Sequence, residues 1–180
     1  MSITIISYSM TGNNNTLASK IANALSTEHV KITEPKKRGY GTITFDLLFR
    51  RTPRVFPGPE TLSQYDEVIF VAPVWMGQPA FPLRAYLKFL KAHPHKYGFV
   101  TISGGSLNPN PKLRDNITRL AGNAPSVFVA MYIADLMPKE LEINPKSVES
   151  YHLTDKDMES LTKTAVNEIN KCFGTKAQRV

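Results

Sequence analysis

The chain has 180 residues, a length that predicts one domain, and its 42% hydrophobic and 21% charged residues are an ordinary globular composition that argues against disorder. A single cysteine excludes an internal disulfide, and no Cys/His cluster has zinc-site spacing. No apolar run reaches the roughly 18 residues of a membrane span, and no secretory pattern opens the chain, so we expect a cytoplasmic protein without membrane insertion.

The first half of the chain alternates predicted strands and helices. Residues 2–8 are rich in β-branched side chains, and an amphipathic helix follows with apolar residues at four-residue spacing from Leu17 to Leu25. A short second strand is expected over residues 29–33. The apolar run at residues 67–72 predicts a strand that is covered on both faces of a sheet.

Between the second and third predicted strands, the chain carries most of its positive charge. The net charge is +7, and residues 35–58 contain one acidic residue, Asp46, against six basic ones: Lys36, Lys37, Arg38, Arg50, Arg51 and Arg54. Glycines and prolines mark this segment as a long connection, with a short helix expected around residues 44–51. Such a segment is a solvated loop, or it attracts an anionic ligand or partner.

The second half of the chain continues the alternation. A helix with Pro82 in its first turn precedes a strand over residues 97–103. A further helix is expected to begin at Asn110 and Pro111 and to end before Gly122. The last strand is expected over residues 126–133.

An irregular extension is expected over residues 135–154. Residues 154–157 have the spacing of a capping box that opens a final helix, with Leu161, Ala165, Ile169 and Phe173 facing inward. Cys172 is interpreted as a small core residue, and Met131, Met137 and Met158 as core or near-core residues. His93 and His95 are interpreted as a polar turn, because two histidines without a third ligand do not make a metal site.

Five strands that alternate with helices predict an α/β fold, a doubly wound parallel sheet with helices on both faces. In such sheets, ligands bind beyond the carboxyl ends of the strands. Three glycine-containing loops, residues 9–14, 73–78 and 103–106, follow the first, third and fourth predicted strands. We therefore expect them to converge on one ligand site if those strands are neighbours.

The loop at residues 9–14 combines hydroxyls, amides and Gly12 at the start of a helix, where unpaired backbone N–H groups favour a phosphate. It lacks both the nucleoside-triphosphate and the dinucleotide fingerprints, and it is alternatively an N-cap cluster without ligand. Trp75, the single tryptophan, either packs inside or offers its flat face to an aromatic ligand. Gly104 and Gly105 allow a close backbone approach or form a simple turn.

Together, these segments resemble the flavodoxin superfamily. Residues 8–13 (YSMTGN) are similar to its phosphate loop, residues 66–90 to its third strand, flavin loop and following helix, and residues 99–105 to its fourth strand and second flavin loop. The resemblance implies a flavodoxin-like sheet with strand order 2-1-3-4-5 and non-covalently bound FMN. A single domain over residues 1–180 would carry the cofactor.

The resemblance also implies which residues contact FMN. The phosphate would be held by Ser9, Met10, Thr11, Gly12, Asn13 and Asn14. The isoalloxazine ring would be flanked by Pro73, Val74, Trp75, Met76 and Gly77 from one loop, and by Ser103, Gly104 and Gly105 from the other. No acid–base side chain and no metal ligand is indicated, since the flavin itself carries the chemistry.

Three departures from the family pattern separate the functional alternatives. Asn14 replaces the usual threonine, residues 103–109 lack the aromatic residue common in electron carriers, and the chain is basic where carriers are usually acidic. An uncovered flavin face would accept a nicotinamide or quinone, which favours an oxidoreductase that uses NAD(P)H to reduce a quinone or similar acceptor. Arg50, Arg51 and Arg54 would then attract the phosphate of the pyridine nucleotide.

Two alternatives remain. The first is a non-enzymatic flavodoxin-type electron carrier that acts with a protein redox partner. The second is a flavin-free binding module. Recognition of nucleic acid is not favoured, because no known motif accompanies the aromatic residues that are interleaved with the basic segment.

Overall fold

A computed structural model describes residues 2–35, 40–49, 51–104, 112–138 and 140–173. The strands in these residues are β1 (Ile3–Ser7), β2 (Glu28–Lys31), β3 (Glu67–Val71), β4 (Val74–Trp75), β5 (Gln78–Pro79), β6 (Lys96–Ser103) and β7 (Val127–Tyr132). The α-helices are α1 (Asn13–Leu25), α2 (Tyr40–Leu48), α3 (Leu83–Ala92), α4 (Leu113–Ala121), α5 (Pro145–Ser150) and α6 (Asp155–Cys172), and two 3-10 helices cover Pro59–Gln64 and Ile133–Leu136.

Five strands form one parallel sheet in the order β2-β1-β3-β6-β7, and β4 and β5 form a separate antiparallel hairpin. Without the hairpin, this is the predicted order 2-1-3-4-5, so the fold prediction is confirmed. Ser7 pairs with Val71, and Val71 pairs with Val100, so the neighbouring strands end at the same edge. The loops that follow β1, β3 and β6 therefore leave the sheet together.

Helices cover both faces of the sheet, as a doubly wound fold requires. On one face, Ile5, Ile69 and Val100 pack with apolar residues of α1 and α6. On the other face, Phe70 and Phe99 pack with apolar residues of α3 and α4. Every residue of β3 is buried, which explains why its sequence is an apolar run without alternation.

The first turn of α1 is attached to the neighbouring β6 by a buried side chain. Asn14 donates from Nδ2 to the carbonyl oxygen of Ile102 (2.9 Å) and accepts at Oδ1 from the backbone N–H of Ile102 (3.0 Å). Asn14 is only 3% exposed, so losing either bond would leave a buried polar group without a hydrogen-bond partner. This pair of bonds sets the distance between the helix start and the end of β6.

A second polar cluster attaches α1 to β1 and β2. The hydroxyl of the fully buried Ser7 lies 2.8 Å from Oδ1 of Asn15, to which it donates, and 2.7 Å from Nε2 of His29. Burial, and then the charge of Lys31, lower the pKa of His29, which favours the neutral imidazole. The cluster therefore joins the three elements without a buried charge.

Two predictions about the C-terminal third are wrong. Residues 135–154 contain α5, because Asn144 and Ser147 form a reciprocal capping box around Pro145 at the first helical position. Cys172 is exposed, because Phe173 closes the inward face of α6 four residues after Ile169.

The other predictions for this part of the chain are confirmed. Thr154 and Asp157 form the predicted capping box at the start of α6. The three methionines expected in or near the core, Met131, Met137 and Met158, are buried. The short helix expected around residues 44–51 instead covers Tyr40–Leu48, and the predicted start of α4 at Asn110 and Pro111 lies outside the described residues.

Two kinds of feature are absent from the part of the chain that the structure describes. None of its helices combines the length and the apolar character that crossing a bilayer demands. Within the same residues, no cluster of three or more metal-ligating side chains occurs, and His93 stacks on Phe89 instead.

Candidate functional site

A cavity of about 730 Å³ opens at the carboxyl edge of the sheet. Residues from the three predicted loops line it: Met10, Thr11, Asn13, Asn14, Pro73, Val74, Trp75, Met76, Ser103 and Gly104. Ser9, Gly12 and Gly77 are not in its lining but shape the loops, and Gly105 lies outside the described residues. The volume falls in the roughly 300–1,000 Å³ range of small-molecule and cofactor sites.

The loop between β1 and α1 turns sharply at Gly12, which has φ +102°. A Cβ atom there would meet nothing within 4 Å. Glycine is therefore required by the backbone conformation and not by a lack of space. The N–H of Gly12 donates to Oγ of Ser9 (2.9 Å), and α1 then begins without a side-chain cap or an acidic residue in its first turn. The positive end of the helix dipole therefore reaches the cavity without a resident counter-charge.

Asn14 has a structural task that the sequence analysis did not assign to it. Its amide was expected to hold a phosphate, yet both Nδ2 and Oδ1 bond to the backbone of Ile102. The residue still lines the cavity. Asn14 therefore positions the helix start against β6, and the hydroxyl of Thr11 and the amide of Asn13 are the side-chain donors of this loop that line the cavity.

The β4–β5 hairpin supplies the second wall of the cavity. Met76 (φ +50°) and Gly77 (φ +73°) both have positive φ, as the two central residues of a type I′ turn do. Because Met76 is not glycine, this conformation costs of the order of 1 kcal/mol. Nδ2 of Asn116 donates to the carbonyl oxygen of Gly77 (3.1 Å), which ties the turn to α4.

Trp75 packs against other aromatic rings and also lines the cavity. The two interpretations from sequence, packing inside and facing a ligand, therefore each describe one part of its environment. Its ring meets Tyr8 edge to face at 5.7 Å and Phe81 edge to face at 5.6 Å. Tyr8 is itself fixed, because its hydroxyl donates to Oε2 of Glu34 (2.9 Å). The indole is therefore held in one orientation while it remains partly exposed on the cavity wall.

A third wall of the cavity, not predicted from the sequence, is made by Thr44 of α2 and by Ile133, Val148, Tyr151 and His152 from the C-terminal third. The loop that follows β6 contains no aromatic residue, but Tyr151 and His152 bring aromatic rings to the cavity from another segment. A Cβ atom on Gly104 would lie 3.4 Å from Cγ1 of Val148, so α5 packs directly beside the end of β6. The capping-box pattern of Asn144 and Ser147 could have predicted α5, but not its packing beside β6.

Tyr151 is held by the capping box of α6. Its hydroxyl donates to Oδ2 of Asp157 (3.0 Å), which also accepts from the backbone N–H (2.9 Å) and the hydroxyl (2.7 Å) of Thr154. The hydrogen bond to Asp157 is the main cause that raises the pKa of Tyr151. Partial burial would raise the pKa of Asp157, but the bonds from Thr154 and Tyr151 outweigh it and lower that pKa.

The described lining of the cavity contains no lysine, arginine, aspartate or glutamate. Its polar groups are hydroxyls, amides and the imidazole of His152, and its apolar part includes Trp75, Val74 and Met76. An anion in this cavity would therefore be held by N–H and O–H donors and the helix dipole. A flat, mostly apolar ligand with one anionic end would match a cavity with apolar walls at one part and hydrogen-bond donors at another.

No protein-family model matches the chain, and a comparison with curated proteins finds no significant match. Solved structures with a similar fold include the complex of a Lactobacillus acidophilus flavoprotein with FMN, at 19% identity and a TM-score of 0.57 over 75% of this chain and 95% of that one. A flavodoxin, WrbA-like protein from Agrobacterium tumefaciens (14% identity, TM-score 0.53) covers 98% of this chain and 100% of its own. A Streptococcus pneumoniae flavodoxin (14% identity, TM-score 0.53) matches over 95% of this chain and 99% of its own. The fold is therefore flavodoxin-like.

The Asp157 carboxylate is expected to support α6 only when it is ionised. Its folded-state pKa is lowered, so its contribution is present above the unfolded value near 3.9 and is lost as the pH falls through the folded value. We predict that Asp157→Asn lowers the urea midpoint at pH 7 and that the gap to the parent chain narrows at pH 3. Asp155→Asn is the matched control, since Asp155 lies in the same turn but outside the capping box, and it should lower the urea midpoint at pH 7 by less. Equal losses of the urea midpoint in the two variants would contradict this role of Asp157.

Proposed function

We propose that the chain binds FMN in this cavity and uses NAD(P)H to reduce a quinone or a similar acceptor. The observation that carries the proposal is the convergence of the β1, β3 and β6 loops on one cavity of about 730 Å³. FMN is also the ligand of the Lactobacillus flavoprotein with a similar fold. When bound, the flavin supplies the redox chemistry, accepting a hydride or single electrons.

The residues at the start of α1 fit the phosphate end of FMN. The first-turn N–H groups have no partner within the helix, and the Thr11 hydroxyl is exposed on the cavity. Gly12 leaves open space where a side chain would point. Hydrogen bonds from these groups to a charged phosphate are the strong kind, with a net value of roughly 1.5–3 kcal/mol each.

The opposite part of the cavity fits the isoalloxazine ring. Pro73, Val74 and Met76 supply apolar surface, and Trp75 and Tyr151 supply aromatic rings that their hydrogen-bonded or packed neighbours hold in place. Ordered walls of this kind orient a flat ring and exclude water from it. No described residue of the lining carries a carboxylate that would repel negative charge on a bound ring.

The charge distribution supports a reductase over a carrier. Arg51 and Arg54 are exposed in the segment that follows α2, and α2 itself contributes Thr44 to the cavity wall. Cations in this segment would attract the phosphates of a pyridine nucleotide by charge-assisted hydrogen bonds. The same cations would repel the basic partners on which acidic carriers dock.

Trp75 makes the flavin proposal directly measurable, because it is the only tryptophan in the chain. FMN added to the flavin-free protein should quench tryptophan fluorescence, since the ring would lie against the indole. Thr11→Val should raise the Kd for FMN about tenfold or more, because one bond to the phosphate is lost. Its Kd for riboflavin, which has no phosphate, should be unchanged.

Thr164→Val, on the exposed face of α6, is the matched control and should leave both affinities unchanged. If Thr11→Val weakens riboflavin as much as FMN, the β1–α1 loop is not the phosphate site. Tryptophan fluorescence that does not change when FMN or riboflavin is added would overturn the proposal as a whole.

The reductant is tested by following the flavin absorbance under anaerobic conditions. NADPH should bleach bound FMN. Replacing Arg50, Arg51 and Arg54 with neutral residues should raise the KM for NADPH without a comparable change in kcat, because the arginines would act on encounter and binding. The KM should rise less in high salt, where the parent chain also loses this attraction. An unchanged KM would remove the arginines from this role, and bleaching only by one-electron donors would favour the carrier.

A further inference from the structure

The end of helix α2 and the residue that follows it present an apolar stripe to solvent, which we call the α2 stripe: Phe45, Leu48 and Phe49. These side chains are 47%, 75% and 58% exposed, although soluble surfaces rarely group large apolar residues in this way. Residues three and four apart share one face of a helix, and the rings of Phe45 and Phe49 lie 4.5 Å apart. The stripe is therefore one continuous surface.

The opposite side of α2 is fixed to the protein. Asp46 is 4% exposed, and its carbonyl oxygen accepts from Nη1 of Arg84, which is itself buried in α3. The same Nη1 donates to the carbonyl oxygen of Arg51 (3.0 Å). These contacts hold the helix on the body of the protein with the α2 stripe facing out.

Arg51 places a cation against the α2 stripe, and two further cations belong to the neighbouring residues. The guanidinium of Arg51 lies 5.5 Å from the ring centre of Phe45, and Arg54 is exposed nearby in the sequence. Nζ of Lys88 donates to Oγ1 of Thr52 (2.7 Å), which adds a third positive charge to this segment. The single acidic residue of the segment 35–58 is Asp46, whose side chain is buried.

We propose that the α2 stripe and its neighbouring arginines dock on an anionic lipid surface. A short helix with an apolar face and basic flanks lies in the interface of a bilayer, where its apolar side chains enter the acyl boundary and its cations meet lipid phosphates. A second copy of the chain is a poor occupant, because it would bring like charges together across the contact. The stripe is a convex helix face, which suits a deformable lipid surface.

Docking in this way would place the cavity at the membrane surface. Thr44, which lines the cavity, directly precedes Phe45 of the α2 stripe in the same helix. An apolar acceptor dissolved in the bilayer would then reach the site along α2. The lipid contact itself does not depend on the flavin or on the proposed reaction.

The test is co-sedimentation of the purified protein with phosphatidylcholine vesicles, with and without phosphatidylglycerol. Binding is expected only when the anionic lipid is present. It should fall when NaCl is raised from about 0.1 M to about 1 M, because the Debye length shrinks from about 10 Å to about 3 Å. Arg51→Gln with Arg54→Gln should lower the partition coefficient about thirtyfold, and Phe45→Ser with Phe49→Ser about tenfold or more.

The matched control is Leu141→Ser with Ile143→Ser, which removes two apolar residues that are 49% and 39% exposed elsewhere on the surface. It should bind vesicles like the parent chain, and all variants should keep the parent urea midpoint because every substituted side chain is exposed. Absence of binding to anionic vesicles, or equal losses in the control and the stripe variants, would overturn the proposal. A stripe-dependent dimer, or capture of an acidic protein in place of the vesicles, would overturn it as well.

Discussion

The candidate site depends on the two hydrogen bonds between the side chain of Asn14 and the backbone of Ile102. They connect the helix that follows β1 to a strand that is not adjacent to β1 in the sheet, since β3 lies between them. Both partners are buried, so the connection is costly to break and the two loop regions keep one spacing. Without it, the start of α1 and the end of β6 would lose this direct polar link across β3.

The sheet and the three loops could be predicted from sequence because each depends on local signals. Apolar β-branched runs mark the strands, and Gly12 and Gly104 follow β1 and β6 where a helix or a turn must begin. Tyr151 and His152 could not be placed in the same way, since they reach the cavity only through the packing of α5 beside β6. The task of Asn14 was missed for a related reason, because its partner Ile102 is 88 residues away in the sequence.

Charge is separated from the cavity throughout the described structure. The described cavity wall contains no carboxylate, lysine or arginine, whereas Arg51 and Arg54 lie in the segment that follows α2. A neutral, partly aromatic wall suits a flat cofactor, and exposed cations act on anionic ligands and surfaces from outside. Helix α2 links these two regions, because Thr44 belongs to the wall and Phe45 to the exposed stripe.

The most direct test of the account is an NMR titration of the isotopically labelled, flavin-free protein with FMN. We expect the NMR signals of the backbone amides of Gly12 and Gly104 and of the indole N–H of Trp75 to shift together and saturate at one equivalent, because all three belong to loops around one cavity. Signals from the far end of the sheet, such as that of Glu67, should not move. Shifts confined to one loop, or an unchanged spectrum at saturating FMN, would contradict it.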